Sequence, residues 1–357
     1  MKKVLALFLS ALLFASAFGC APKQTEGAAS PSPSAAESVA PSDEAGMAAD
    51  YCPAAENAHY VYQGEGSEYA SYDVYVDYTS ETRIQQRVNN GGTVLARVVE
   101  IADGKVTCVY SQEESYYREN ALLKSDGRQE VLLMDPIKTG TTWTLIDGSV
   151  CTITGTDVSV ETPSGAYSAV AVETIYSSGG KTVEYYAKGI GLVKTVSTGE
   201  GYEVSSSLSE IQKDVPFSQT VRFYYPEGND GKIYYKDLEL SFRTNDVTRT
   251  ALETAYKQPF EGIPGTVLSD NTKINSLYLN DDGMVYIDLS RDFVTEMNAG
   301  AGYETQILQC VANTFGSYYG ADKVILTIDN SLYESGHIKL NQGEYLTVDT
   351  EESTEIK

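Results

Sequence analysis

Between His59 and about Ile211 the chain is built from short runs in which apolar and polar residues alternate at every second position. The stretches YDVYVDY (72–78), VLARVVEI (94–101) and KVTCVY (105–110) show the pattern most cleanly. A period of two puts successive side chains on opposite faces of a strand, and no other regular structure has it. Asp103-Gly104, Ser164-Gly165 and Gly179-Gly180 break the runs, as turns do in antiparallel meanders. No amphipathic helix of three turns is legible between 70 and 205, and Tyr and β-branched residues suit a half-buried pleated surface. Residues 51–214 are therefore expected to form an N-terminal antiparallel β-sheet or half-barrel domain.

The pattern changes near Gln219. TVRFYYP (220–226) and LELSFRT (238–244) read as strands. In 246–258, Val247, Ala251, Leu252, Ala255 and Tyr256 fall on one helical stripe, with Asn245 or Asp246 placed to cap it and Pro259 to end it. Residues 273–290 read as a hairpin around Asp281-Asp282-Gly283. A second helix is expected over 303–319, from Tyr303, Ile307, Val311 and Phe315, and then a strand at 323–329. The order ββαββαβ predicts a small α+β sandwich over 218–348, with two helices on one face of a sheet. An acidic tail (349–357) follows.

The first 50 residues read differently. Met1-Lys2-Lys3, an apolar run from Val4 to Phe18 and then Gly19-Cys20 describe an export signal over 1–19. The run is shorter than the roughly 20 residues a membrane span needs. SAFGCAPK resembles the lipobox of bacterial lipoproteins, with Ala17 and Phe18 departing from its usual pattern; the resemblance implies lipidation of Cys20. Cleavage by an ordinary signal peptidase is the alternative. Residues 20–50 are Ala, Ser, Pro, Gly and acids with little to bury, which predicts a disordered tether spanning about 30 Å. Loss of residues 1–19 leaves 24 basic residues against 50 acidic ones, a net charge of −26. Such a surface repels nucleic acid, so none is expected as a partner.

VRFYYPEGNDGKIYY, GMVYIDLSRDF, ETQILQCVANTF, KVILTIDN and GHIKL succeed one another as they do in the GerMN domain of sporulation and spore germination, and this resemblance covers about 218–345. It implies a lipoprotein or membrane-attached protein on the outer face of the cytoplasmic membrane of a Gram-positive type envelope. Its expected partners are other envelope proteins, or a second copy bound through this domain. PIKTGTTWT and YYAKGIGLVKT resemble a LolA-like or lipocalin-like β-domain, which implies a lipid or glycan ligand as the alternative function.

The candidate chemical residues support no catalytic assignment. Asp281, Asp282, Asp288 and Asp292 lie close together, but no His or Cys is near in sequence and the calcium-loop spacing is absent. They are expected to serve a turn and an exposed strand face, Asp288 either lying on that face or meeting Arg291. His59 and His337 are the only histidines. No G-x-S-x-G occurs, and GSYYG (316–320) ends a helix. NAGAGYETQ (298–306) lacks the Lys-Ser/Thr of a phosphate loop. Trp143 is the single tryptophan; Tyr72 and Tyr78 share one face of a strand and Tyr75 the other, which fits sheet packing better than a sugar platform. Cys52, Cys108, Cys151 and Cys310 lack metal spacing. Cys52 with Cys108 or Cys151 is a candidate disulfide, and Cys310 reads as a core residue. No cofactor, metal or enzymatic activity is expected, and a non-catalytic assembly or scaffolding role is.

Overall fold

The computed structural model describes residues 46–228 and 230–356. The export signal, Cys20 and most of the tether lie outside them. Met47–Lys357 cluster as one compact unit. Among the described residues no helix is long and apolar enough to cross a membrane.

The first twelve strands are β1 (Ala58–Glu65), β2 (Tyr72–Thr79), β3 (Arg83–Asn89), β4 (Val94–Ala102), β5 (Lys105–Gln112), β6 (Glu130–Met134), β7 (Thr142–Thr144), β8 (Val150–Thr162), β9 (Gly165–Ile175), β10 (Lys181–Ala187), β11 (Gly191–Gly199) and β12 (Tyr202–Lys213). They make one antiparallel sheet in the order β6-β5-β4-β3-β2-β1-β12-β11-β10-β9-β8-β7. Two meanders thus join at the β1–β12 pair. The sheet curls until its ends meet without pairing as strands: the Trp143 indole on β7 donates to the Val131 carbonyl on β6 at 2.9 Å. Val99, Val106 and Leu133 from one meander and Ile153, Val170 and Val172 from the other share one core. Register shifts in several strand pairs supply the bending such curvature needs. This is the expected half-barrel.

A short 3-10 turn, Ala48–Tyr51, closes one side. Ala48 and Tyr51 are buried, and the Ala48 amide donates to Asp135 at 2.8 Å. The last residues assigned to the tether are therefore folded, because an apolar Ala-Tyr pair found a place in the core.

The second part comprises β13 (Phe217–Pro226), β14 (Ile233–Phe242), α1 (Thr248–Lys257), β15 (Ile274–Leu279), β16 (Val285–Leu289), α2 (Asp292–Thr295), α3 (Ala301–Tyr319), β17 (Lys323–Ile328), β18 (Ser331–Leu332), β19 (Leu346–Thr347) and β20 (Thr354–Glu355). Its strands form two sheets rather than one: β13-β14-β20, and β15-β16-β17-β18 with β19 also on β17. Helix α3 packs against β13 of the first and β16, β17 and β19 of the second. That explains why its buried residues, from Ile307 through Gly316, run almost all round its circumference. At Gly316 a Cβ would lie 2.2 Å from Val348, so only glycine permits the close approach there. Gly320, at φ 68°, ends the helix in the left-handed conformation.

One local expectation is corrected. Neither Asn245 nor Asp246 caps α1, whose N-cap is Val247 with no side-chain bond. Asn245 instead bonds Thr79 on β2, and the Asp246 carboxylate accepts from the Arg243 amide. The acidic tail is docked. Residues Thr354 and Glu355 pair in parallel with Tyr234 and Tyr235, and Ile356 packs on the core. One apolar residue and an open strand edge suffice to dock it.

Candidate functional site

The four aspartates do not converge. Asp282 accepts from the Met284 amide at 2.9 Å and from the Tyr286 hydroxyl at 2.9 Å, which fixes the hairpin turn. Those bonds hold its carboxyl below the usual range, against a smaller opposing effect of burial. Asp281 is exposed, and Asp292 opens α2 and accepts from Ser290. Asp288 is not on an exposed face: it is 3% exposed. It accepts from Thr327 Oγ1 at 2.6 Å, the Asn330 amide at 2.7 Å and Asn275 Nδ2 at 2.8 Å. Asp329 and Asn330 both have positive φ, so Asp288 pins the strained turn that leaves β17. Parallel pairing of β16 with β17 buries this strand on both faces, which a hairpin reading could not foresee. No group of three or more His, Cys, Asp or Glu able to hold a metal occurs among the described residues.

His59 Nε2 meets Asp73 at 3.0 Å and Nδ1 meets Gln212 at 2.9 Å, and the ring stacks on Tyr75 at 4.0 Å. Burial works against its charge, but the bonds to Asp73 and Gln212 prevail and raise its pKa. His337 is exposed in a turn. Glu304 in the first turn of α3 is 2% exposed and accepts from Tyr333 at 2.8 Å and Ser335 at 2.5 Å. It ties down the segment after β18, a role without a signal in the sequence.

The disulfide considered for Cys52 with Cys108 or Cys151 is not formed, and Cys52, Cys108, Cys151 and Cys310 are free. Each has its own surroundings. Burial pushes the Cys52 thiol up to about 11. The Cys108 thiol faces the Tyr110 carbonyl, and Cys151 pairs with Thr174 Oγ1 at 3.3 Å. Cys310 is wholly buried in α3, as expected of a core residue.

The tyrosines of β2 are divided by a register shift between Val76 and Tyr78. Tyr72 turns into the concave side of the curved sheet and stacks on Tyr62 at 4.4 Å. Tyr78 joins Tyr75 on the other side, against the second part of the chain. The concave side encloses a cavity of about 70 Å³ lined by Tyr60, Tyr72, Gln86, Arg97, Glu184 and Tyr186 among others.

The two parts of the chain meet at a buried joint. Arg118, fully buried in the β5–β6 connection, donates to Tyr78 Oη at 2.7 Å and Thr248 Oγ1 at 2.9 Å. It also donates to the carbonyls of Asp77 (2.8 Å), Asp246 (2.5 Å) and Arg243 (3.1 Å). Its guanidinium stacks over Tyr78 and Phe242. Arg87 lies 2.9 Å from Asp77 and donates to the carbonyls of Ser115 and Tyr117. The Asp77 oxygens sit within ion-pair distance of both arginines but off their hydrogen-bond axes, so that attraction is Coulombic. Beside the joint, a groove of about 600 Å³ runs between α1 and β14, lined by Leu240, Val247, Ala251 and Ala255 among others. Beyond Tyr235 the β14 edge on the β20 side has no strand partner among the described residues.

Residues 222–334 match the family model described as Germane: Sporulation and spore germination. This part of the chain is a GerMN domain. The first GerMN domain of the sporulation protein GerM from Bacillus subtilis is 22% identical over 36% of this chain and 97% of that one, with a TM-score of 0.28. A Bacteroides fragilis protein described as exported, with a YmcC-like fold, is 15% identical over 45% of this chain and 98% of that one (TM-score 0.29). A Clostridium perfringens protein described as a lipoprotein is 16% identical over 37% of this chain and 87% of that one (TM-score 0.25). No curated protein matches the chain. To the joint the GerMN domain contributes Phe242, Arg243, Asp246 and Thr248; the curved sheet contributes Asp77, Tyr78 and Arg87. The groove belongs to the GerMN domain alone.

Proposed function

We propose that this chain is a non-catalytic envelope protein, held by lipid on Cys20 at the outer face of the cytoplasmic membrane, whose GerMN domain works as an assembly or scaffolding module in sporulation or germination. The observation that carries this reading is the Asp77–Arg87–Arg118 joint. A buried network with this many fixed bonds makes the β-domain and the GerMN domain one rigid body, so the β-domain sets the orientation in which GerMN surfaces are offered to other envelope proteins or to a second copy. The groove along α1 is the part of that surface with both apolar lining and an open strand edge.

The test is chemical crosslinking of the full chain in intact cells, with identification of what is captured. Thr254, which lines the groove, is replaced by arginine in a parallel strain. A captured protein or dimer that disappears in Thr254→Arg, and release of Cys20→Ala into the medium, are expected. A chain that sediments as a monomer at every concentration and captures nothing, or one that turns over a substrate, overturns the reading.

A further inference from the structure

The cavity within the curved sheet gathers polar groups that other protein groups leave unengaged. Arg97 on β4 points to the concave side with Val99, and its Nε donates to Gln86 on the neighbouring strand at 2.8 Å. That bond orients the guanidinium and leaves both terminal nitrogens without a protein hydrogen-bond or ion-pair partner among the described residues. Tyr60 and Tyr72 bring hydroxyls to the same cavity, and neither has a protein partner there. Glu184 stands across from Arg97 and accepts from Tyr186 at 2.8 Å, but makes no ion pair with the arginine. Burial raises the Glu184 carboxyl, and the nearby Arg97 charge works against that rise. The rest of the wall is largely aliphatic, including Val74, Val76, Val99 and Leu132, with Tyr51 and Tyr62 among its other members.

A planar guanidinium with two free donors, flanked by two free phenols and set in an aliphatic wall, has the shape of a carboxylate receptor. We propose that the β-domain binds a small aliphatic carboxylate, with its two oxygens on Arg97, hydroxyls of Tyr60 or Tyr72 donating to it, and its carbon end against the valines. Size limits the ligand. At about 30 Å³ for each water-sized group, the cavity takes only two or three such groups. Ordinary small-molecule sites measure about 300–1,000 Å³, so a glycan or a whole acyl chain does not fit.

The test uses the mature chain with sodium acetate, butyrate and octanoate, and sodium chloride at matched ionic strength. Thermal unfolding and the aromatic NMR signals are followed. Acetate should raise Tm in proportion to the logarithm of its concentration and shift the Tyr72 ring signals, the longer butyrate should do so less, and chloride should do neither. Tyr72→Phe keeps the ring and should weaken binding by about tenfold, as expected for one hydrogen bond to a charged group. Arg97→Met should abolish it; Arg97→Lys, which keeps the charge but loses the fork, should retain a small part. Equal effects of chloride and acetate, an undiminished response in Arg97→Met, a response to octanoate alone, or a crystal grown in acetate with only ordered water at Arg97 would each overturn the proposal.

Discussion

Replacing Arg118 by leucine tests the joint directly. Leucine fills part of the space but removes every donor. Not all acceptors are then stranded. The Asp77 carbonyl keeps the Asn245 amide, the Arg243 carbonyl keeps the Asp246 amide, and Tyr78 and Thr248 keep each other. What loses its partner is the Asp246 carbonyl, together with half the positive charge around buried Asp77. Breaking a buried ion pair from one side costs about 3–5 kcal/mol, and the surviving Arg87 places this case near 3. For a chain of this size, at about 2–4 °C per kcal/mol, Tm should fall by about 6–12 °C. The assay is calorimetry of the mature chain with a urea titration beside it. A second signature should accompany the shift: one cooperative transition becomes two, as the GerMN domain and the curved sheet lose their coupling. Asp77→Asn combined with Arg118→Leu should be less damaging than the sum of the two single changes by at least about 1 kcal/mol, because they share one interaction. Additivity within about 0.5 kcal/mol, or a single loss below about 1 kcal/mol, would refute the view that Arg118 couples the two domains.

Asp288→Ala leaves the Asn330 amide without its acceptor, while the Thr327 hydroxyl keeps the Ile287 carbonyl, so a loss of about 1–3 kcal/mol is expected in urea titration, and no metal should restore it. His59 has a raised pKa in the folded chain. Its contribution is therefore fully present below its ordinary value of 6.5 and fades as pH rises through the folded value. The Tm deficit of His59→Gln should be larger at pH 5 than at pH 8; an equal deficit at both would refute the assignment. Alkylation at pH 8 should label none of Cys52, Cys108, Cys151 and Cys310 quickly in the folded chain, because burial raises every one of these thiols. All four should react in urea without reductant, and two missing thiols would reveal a disulfide.

Period-two alternation and glycine punctuation determined the antiparallel sheet of 58–213 from sequence alone, because strand geometry leaves one short-range signature. The helices at 248–257 and 301–319 and the hairpin at Gly283 were legible for the same reason, as was the place of Cys310 in the core. Tertiary structure decided what each residue meets. Asp288 sits on a strand that alternates like an exposed one, and only its parallel pairing with β17 buries it. Tyr72 and Tyr78 are six residues apart on one strand, and one register shift sends them to opposite sides. Neither Arg118 nor Arg97 is marked out by any motif in the sequence. One became the joint and the other faces a cavity, because burial of a charge depends on partners up to 130 residues away. Local pattern fixes the backbone, since dihedral preferences and side-chain period act over a few residues. The environment of a side chain is set by elements distant in sequence, which no local pattern encodes.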